Sequence, residues 1–295
     1  NTNEFPELPE INEDLKVSVK QNILKNMIKG TSFAIAQDET RPILQGILFE
    51  VKNKNLNLVA LDGYRLAIRS EFLDTDINID VVIPGKTLNE VSKILEDVDN
   101  IVDITFTNNH ILFNLEKTKI ISRLLEGKFI NYNSLLPQEH KLLVDVNRQE
   151  LQNAIERASL MAKDGNTNLI KLDIQQDNLI ITSNSQLGKV REEITIKLQG
   201  EEVQIAFNSR YLLDVLKNVE DDEVVMKMTS GISPCVIEQK SSENAKYLVL
   251  PVRWKAKLKS IQSRFKNPYS TKFFSSQQVW TVILCFLALI LKLIP

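Results

Sequence analysis

The chain repeats itself, and that repetition limits the folds open to it more than any other feature. Val19–Ser32 is echoed by Val146–Ser159, and Ile83–Leu95 is echoed by Phe207–Val219. The separations are 127 and 124 residues, so two matches recur in the same order at nearly one spacing. That pattern indicates a duplicated unit. A unit of this size used twice builds an extended surface or a ring, because a single catalytic centre needs no copy. Function is therefore expected to come from geometry.

Length and charge sharpen the picture. At 295 residues the chain can form two domains, each with its own core. The formal charge of −2 hides a split: residues 254–295 hold seven lysines and arginines and no acid, leaving 29 basic against 38 acidic groups before them. An acidic body is compatible with nucleic acid only if positive charge is concentrated where the polymer passes. Otherwise it is simply a solvated, soluble surface. Cys235 and Cys285 lie far apart, as do His110 and His140, so no disulfide framework or metal spacing is visible. A reduced, cytosolic setting fits, with no cofactor.

Apolar periodicity predicts an α+β chain in which antiparallel strands outnumber helices. Residues 1–13, broken by Pro6 and Pro9, read as a connector from something earlier. A first unit is expected over 14–136 and a second over 137–253. Each has two helices, near Gln21–Lys29 and Thr87–Leu95, then near Arg148–Met161 and Ser209–Val219. Strands are expected between them, among them Leu66–Glu71, Glu192–Ile196 and Lys246–Leu250, with Asn108-Asn109 marking a hairpin. Residues 254–295, basic and then apolar from Trp280, belong to neither unit. They read first as sequence beyond the natural end, with an extra packed helix or a membrane anchor as alternatives; the apolar run is marginal for the ~20 residues of a span.

Two constellations carry chemistry. Asp62-Gly63 marks a tight turn, and Leu61 and Leu66 beside it can wall an apolar pocket with Arg65 at its rim as a carboxylate receptor. The repeat offset places Lys86 on Arg210 and Lys93 on Lys217. Within each helix the two cations are seven residues apart, so both project from one face, opposite the apolar stripe. Matched cations on equivalent helices suit a DNA-lined surface. The first helices add Lys25 and Lys29, then Arg148 and Arg157, without matching register.

At these motifs the chain resembles the beta sliding clamp of bacterial DNA polymerase III. Asp62–Ala67, Phe207-Asn208 with Tyr211–Leu216, and Tyr247–Arg253 carry the resemblance, which covers residues 1–253. It implies the family's second and third domains without the first, each with an antiparallel sheet outside and two helices on the inner face. It also implies a head-to-tail dimeric ring around duplex DNA, bound independently of sequence, that tethers the replicative polymerase and has no active site of its own. Clamp loader and repair proteins are implied partners, through short peptides. Carried over residue by residue, the partner pocket comprises Leu44, Leu61, Gly63, Tyr64, Arg65, Leu66 and Leu135 on one side. The other side comprises Asn208, Tyr211, Ile232, Pro234, Leu248, Val249, Leu250, Pro251, Val252 and Arg253. Tyr64 stands where the family often has histidine, and Ile130 where it often has proline. The resemblance places the protein in the bacterial cytoplasm, at the nucleoid.

Two rival functions are separable from this reading. A membrane-tethered binding protein would use the apolar C-terminal run as an anchor and its basic flank on an anionic surface. An enzyme would use Asp62, His110 or His140 as acid–base groups, but no nucleophile–base pair, phosphate loop or metal cluster accompanies them.

Overall fold

Strand, helix, four strands, helix and three strands follow one another twice. The computed structural model describes residues 15–164 and 168–253, which belong to one compact unit. The first repeat runs β1 (Leu15–Lys20), α1 (Gln21–Ser32), β2 (Gly46–Lys52), β3 (Asn55–Leu61), β4 (Arg65–Phe72), β5 (Ile79–Pro84), α2 (Gly85–Ile94), β6 (Ile101–Phe106), β7 (His110–Leu115) and β8 (Thr118–Arg123). The second runs β9 (Leu142–Asn147), α3 (Arg148–Asp164), β10 (Leu169–Ile174), β11 (Asn178–Asn184), β12 (Lys189–Gln199), β13 (Val203–Asn208), α4 (Ser209–Asn218), β14 (Glu223–Met228), β15 (Cys235–Gln239) and β16 (Ala245–Val249). Every pairing of these strands is antiparallel, as the α+β reading expects. The expected connector and C-terminal tail lie outside the described residues.

The duplication extends to single hydrogen bonds. The Gln21 amide donates to Asn100 O at 2.8 Å, and the Arg148 amide donates to Asp222 O at 2.8 Å. Each bond satisfies an otherwise orphaned N–H at the start of its repeat's first helix. Likewise, Leu125 N donates to Val82 O at 2.9 Å and Val252 N to Ala206 O at 2.7 Å. The segment leaving the last strand of each repeat thus returns to the strand that precedes its second helix.

Strands β1-β6-β7-β8 form one sheet, and the other twelve form a second, in the order β13-β10-β11-β12-β9-β14-β15-β16-β4-β3-β2-β5. Strand β12 is longer than the expected Glu192–Ile196: residues 189–195 pair with β11, and residues 196–199 with β9. The junction of β16 with β4 joins the repeats, with Leu248 opposite Leu66 and Val249 opposite Arg65. The sheet therefore runs on from one repeat into the other through this ladder.

Both faces of the sheet are buried near the junction, each by alternate side chains. Ile47, Phe49, Leu58, Ala60, Ala67, Tyr247 and Val249 point into the large helix-side core with Leu24, Met27, Ile28, Leu88 and Val91 of α1 and α2. Leu48, Val59, Leu61, Leu66, Ile68, Val82, Val236 and Leu248 point the other way, into a smaller cluster closed by Leu44, Phe129 and Tyr132. Burial on both faces explains why β2, β3 and β4 read as nearly continuous apolar runs. The helices form a row α2-α1-α4-α3 on their side of the sheet, with α1 meeting both α2 and α4. Ile94, the last residue of α2, is exposed.

Candidate functional site

The smaller cluster is where the sequence-predicted pocket residues meet. Leu44, Leu61, Leu66 and Leu248 are buried within it, and Leu135 and Leu250 pack partly buried against it. The β3–β4 hairpin sets the first wall. Gly63 takes a positive φ of 92°, which a side chain would resist, and Asp62 Oδ1 accepts the Tyr64 and Arg65 amides at 2.9 and 3.0 Å. The Leu250 amide then donates to Tyr64 O at 2.9 Å, laying the Leu248–Arg253 segment along the hairpin. In the turn at Ser230–Ser233, Gly231 lies so close to Gln204 O that an added Cβ would sit 2.5 Å from it. Of the other expected pocket residues, Ile232, Tyr64 and Val252 are 79%, 61% and 40% exposed, while Pro234 and Pro251 are half-buried. Arg253 is exposed beside them.

One expected pocket residue points away from this cluster, and a second is engaged in a local bond. Val249 is fully buried in the helix-side core, because neighbours in a strand point to opposite faces. Asn208 caps α4, its Oδ1 accepting the Arg210 amide at 3.0 Å.

Arg65 is corrected in role. It is not an open carboxylate receptor, because the chain supplies its acceptors. Nε donates to Asp62 at 3.0 Å, Nη1 to Asp214 on α4, and Nη2 to the carbonyl of Phe33 at 2.6 Å. The guanidinium carbon lies 4.7 Å from the Tyr211 ring centre and 5.4 Å from that of Phe33. Tyr211 in turn stacks on Tyr64, with centroids 5.9 Å apart. Burial, then the charge of Asp62, raise the Tyr211 phenol above its ordinary pKa. Asp214 lies within the Tyr211–Leu216 motif but no local signal points to this bond, and Phe33 carries no motif, so only the tertiary structure reveals their part. Phe129 and Tyr132, near the end of the first unit, also belong to this cluster, and no motif in the sequence marks them. Tyr132 donates to Glu50 at 2.6 Å, and its burial raises the phenol pKa.

The predicted cations divide by how far they are already engaged. Lys29, Lys86 and Lys93 line one shallow groove between α1 and α2. Lys29, Lys86 and Arg210 are exposed, with no ion-pair partner among the described residues. Lys93 is held by Glu90 of its own helix at 2.7 Å, and Lys217 only loosely by Glu156 at 3.8 Å. Three others are tied down. Lys25 binds Asp97 at 3.0 Å with its side chain 14% exposed, Arg157 binds Glu192 at 2.7 Å, and Arg148 donates to Asp221 O at 2.8 Å.

Asp62, His110 and His140 sit on separate elements, and Asp62 is committed to Arg65 and its own turn. Burial, helped by the charge of Lys227, lowers the His140 pKa. Among the described residues no three His, Cys, Asp or Glu side chains are grouped to hold a metal, and no helix is long and apolar enough to cross a membrane.

Comparison with known proteins meets this geometry at the same two repeats. The family model for the DNA polymerase III beta subunit central domain matches residues 18–131, and that for its C-terminal domain matches residues 133–253. The chain belongs to the beta sliding clamp family. It is 41% identical to the beta sliding clamp of Bacillus subtilis over 255 residues, 85% of this chain and 68% of that protein. Against the clamp of Staphylococcus epidermidis it is 36% identical, covering 85% and 67%. The crystal structure of the Bacillus subtilis clamp superposes with a TM-score of 0.84 at 40% identity, over 86% of this chain and 68% of that one. The Thermotoga maritima beta subunit gives 0.82 at 27% identity, over 86% and 70%. These beta clamps are accessory factors of DNA polymerase, and nothing in the described residues supports the membrane-tethered alternative.

Proposed function

We propose that this chain is a working part of a sliding clamp, encircling duplex DNA and tethering the replicative polymerase without catalysing a reaction. The observation that carries the reading is a division of labour between two faces. One face is a row of four helices bearing exposed cations, and the other holds an apolar floor with exposed apolar rim residues at the seam of the repeats. Cations on the helices meet phosphates without reading bases, which lets the ring slide. The seam takes short extended peptides by apolar anchors, and one such tether keeps a polymerase, clamp loader or repair protein at high effective concentration near the DNA.

Self-association is assigned to the second repeat. Residues 189–195 of β12 have one edge unpaired among the described residues, with Leu160 and Leu187 exposed at 61% and 79%. An open edge beside apolar side chains is a template for another chain, and a head-to-tail dimer would cover it. The bacterial cytoplasm, at the nucleoid, is the setting this role requires.

The seam is testable with griselimycin, to which a Pseudomonas aeruginosa sliding clamp has been solved bound. Griselimycin should bind the chain, and Leu248→Asp, which puts a charge in the apolar floor, should abolish binding while circular dichroism shows the fold intact. Equal binding by a folded Leu248→Asp variant would move the ligand site elsewhere.

A further inference from the structure

The three acceptors on Arg65 lie in three different parts of the molecule. Asp62 belongs to the same hairpin, Phe33 caps the C-terminal end of α1, and Asp214 sits on α4 of the other repeat. Helix C-terminal carbonyls carry partial negative charge, so the Phe33 carbonyl is a natural partner for a guanidinium. The Arg65 side chain is 11% exposed, and the planes of Tyr211 and Phe33 close over it. We propose that Arg65 is a positioning residue. It braces the pocket-wall hairpin against the second repeat, and ligands of the seam bind beside it without taking its guanidinium.

Charge and register support this assignment. Two carboxylates on one guanidinium leave the cluster net negative, so an incoming carboxylate is repelled unless it displaces one of them. The brace also stands at the cross-repeat ladder: Arg65 is opposite Val249, and the Tyr64 carbonyl accepts the Leu250 amide. Holding Arg65 therefore fixes the Tyr64–Tyr211 stack and the path of the Leu248–Arg253 segment. Lysine cannot substitute, because a single ammonium lacks the planar fork that reaches acceptors in three directions. The ligand part of this proposal rests on reading the seam as the partner site. The brace itself does not.

A double-mutant cycle of Arg65→Lys and Asp214→Ala tests it with two readouts. The first needs no ligand: hydrogen exchange at the Leu250 amide should quicken about tenfold in each single variant, and no further in the double variant. The Ile104 amide, in the separate four-stranded sheet, should keep its wild-type rate. The second is griselimycin affinity, which should fall alike in both single variants. Additive effects, or unchanged Leu250 exchange, would overturn the brace. So would affinity lost in Arg65→Lys but retained in Asp214→Ala, since Arg65 would then touch the ligand directly. If wild type binds no griselimycin, the partner-site reading fails while the exchange cycle still decides the brace. Should Asp214→Ala not fold, the near-isosteric Asp214→Asn completes the cycle.

Discussion

Removing the cations that have no internal partner should change how DNA binding responds to salt far more than removing those already paired. Lys29, Lys86 and Arg210 are the exposed, unengaged members of the predicted set, whereas Lys25, Arg148 and Arg157 are held by Asp97, the Asp221 carbonyl and Glu192. Each phosphate contact contributes about 0.9 to the slope of log affinity against log salt. Lys29→Ala, Lys86→Ala and Arg210→Ala together should therefore flatten that slope by about 2.7 if each side chain meets one phosphate. The matching triple of Lys25, Arg148 and Arg157 should change it by less than about one, because those groups would first have to leave their partners. Fluorescence anisotropy of a labelled duplex, titrated across a low-salt series, reads both slopes. The reasoning is refuted if the triples flatten the slope equally, or if the paired triple has the larger effect.

Three further outcomes follow from the structure. Gly200 has a φ of +121°, and a Cβ there would sit 2.3 Å from Lys141 O, so Gly200→Ala should destabilise the chain by about 1–3 kcal/mol in denaturant unfolding. Cys235 is fully buried, which raises its thiol pKa, so in a Cys285→Ser background it should resist thiol reagents until the chain unfolds. Asp103 accepts from Ser18 and pairs with Lys16, which together lower its pKa below the ordinary 3.8. The ionised form is then favoured by folding, so its stabilisation is complete above that value and lost as pH falls through the lower, folded one. The gap in denaturant midpoint between wild type and Asp103→Ala should accordingly be constant at neutral pH and narrow below about pH 3.8.

Much of this architecture was legible because the repeat and the apolar periodicity are local signals. Of the apolar helix positions Ile23, Leu24, Met27 and Ile28 and Leu88, Val91, Ile94 and Leu95, six are buried, Ile23 is partly buried and Ile94 is exposed. The Asn108-Asn109 hairpin shows in the same way, with the Thr107 amide donating to His110 O at 2.9 Å. What the sequence hid depends on partners distant along the chain. The β16–β4 ladder joins residues about 180 apart, and no composition signal distinguishes a strand that pairs across a repeat from one that pairs within it. The brace on Arg65 needs Asp214, 149 positions away. Val249 entered the pocket through the family resemblance, although strand alternation argues the opposite. Among the cations, the repeat offset found the exposed pair Lys86 and Arg210. It could not foresee that Asp97 and Glu192, brought in by other elements, would occupy Lys25 and Arg157.

The central claim is that DNA meets the helix row and not the sheet. Photo-crosslinking tests it directly, with a benzophenone side chain placed in turn at Lys86, Arg210 and, on the sheet, the exposed β12 position Lys197. The account predicts that duplex DNA is captured from positions 86 and 210 and not from 197. Capture from 197, with none from either helix, would contradict it.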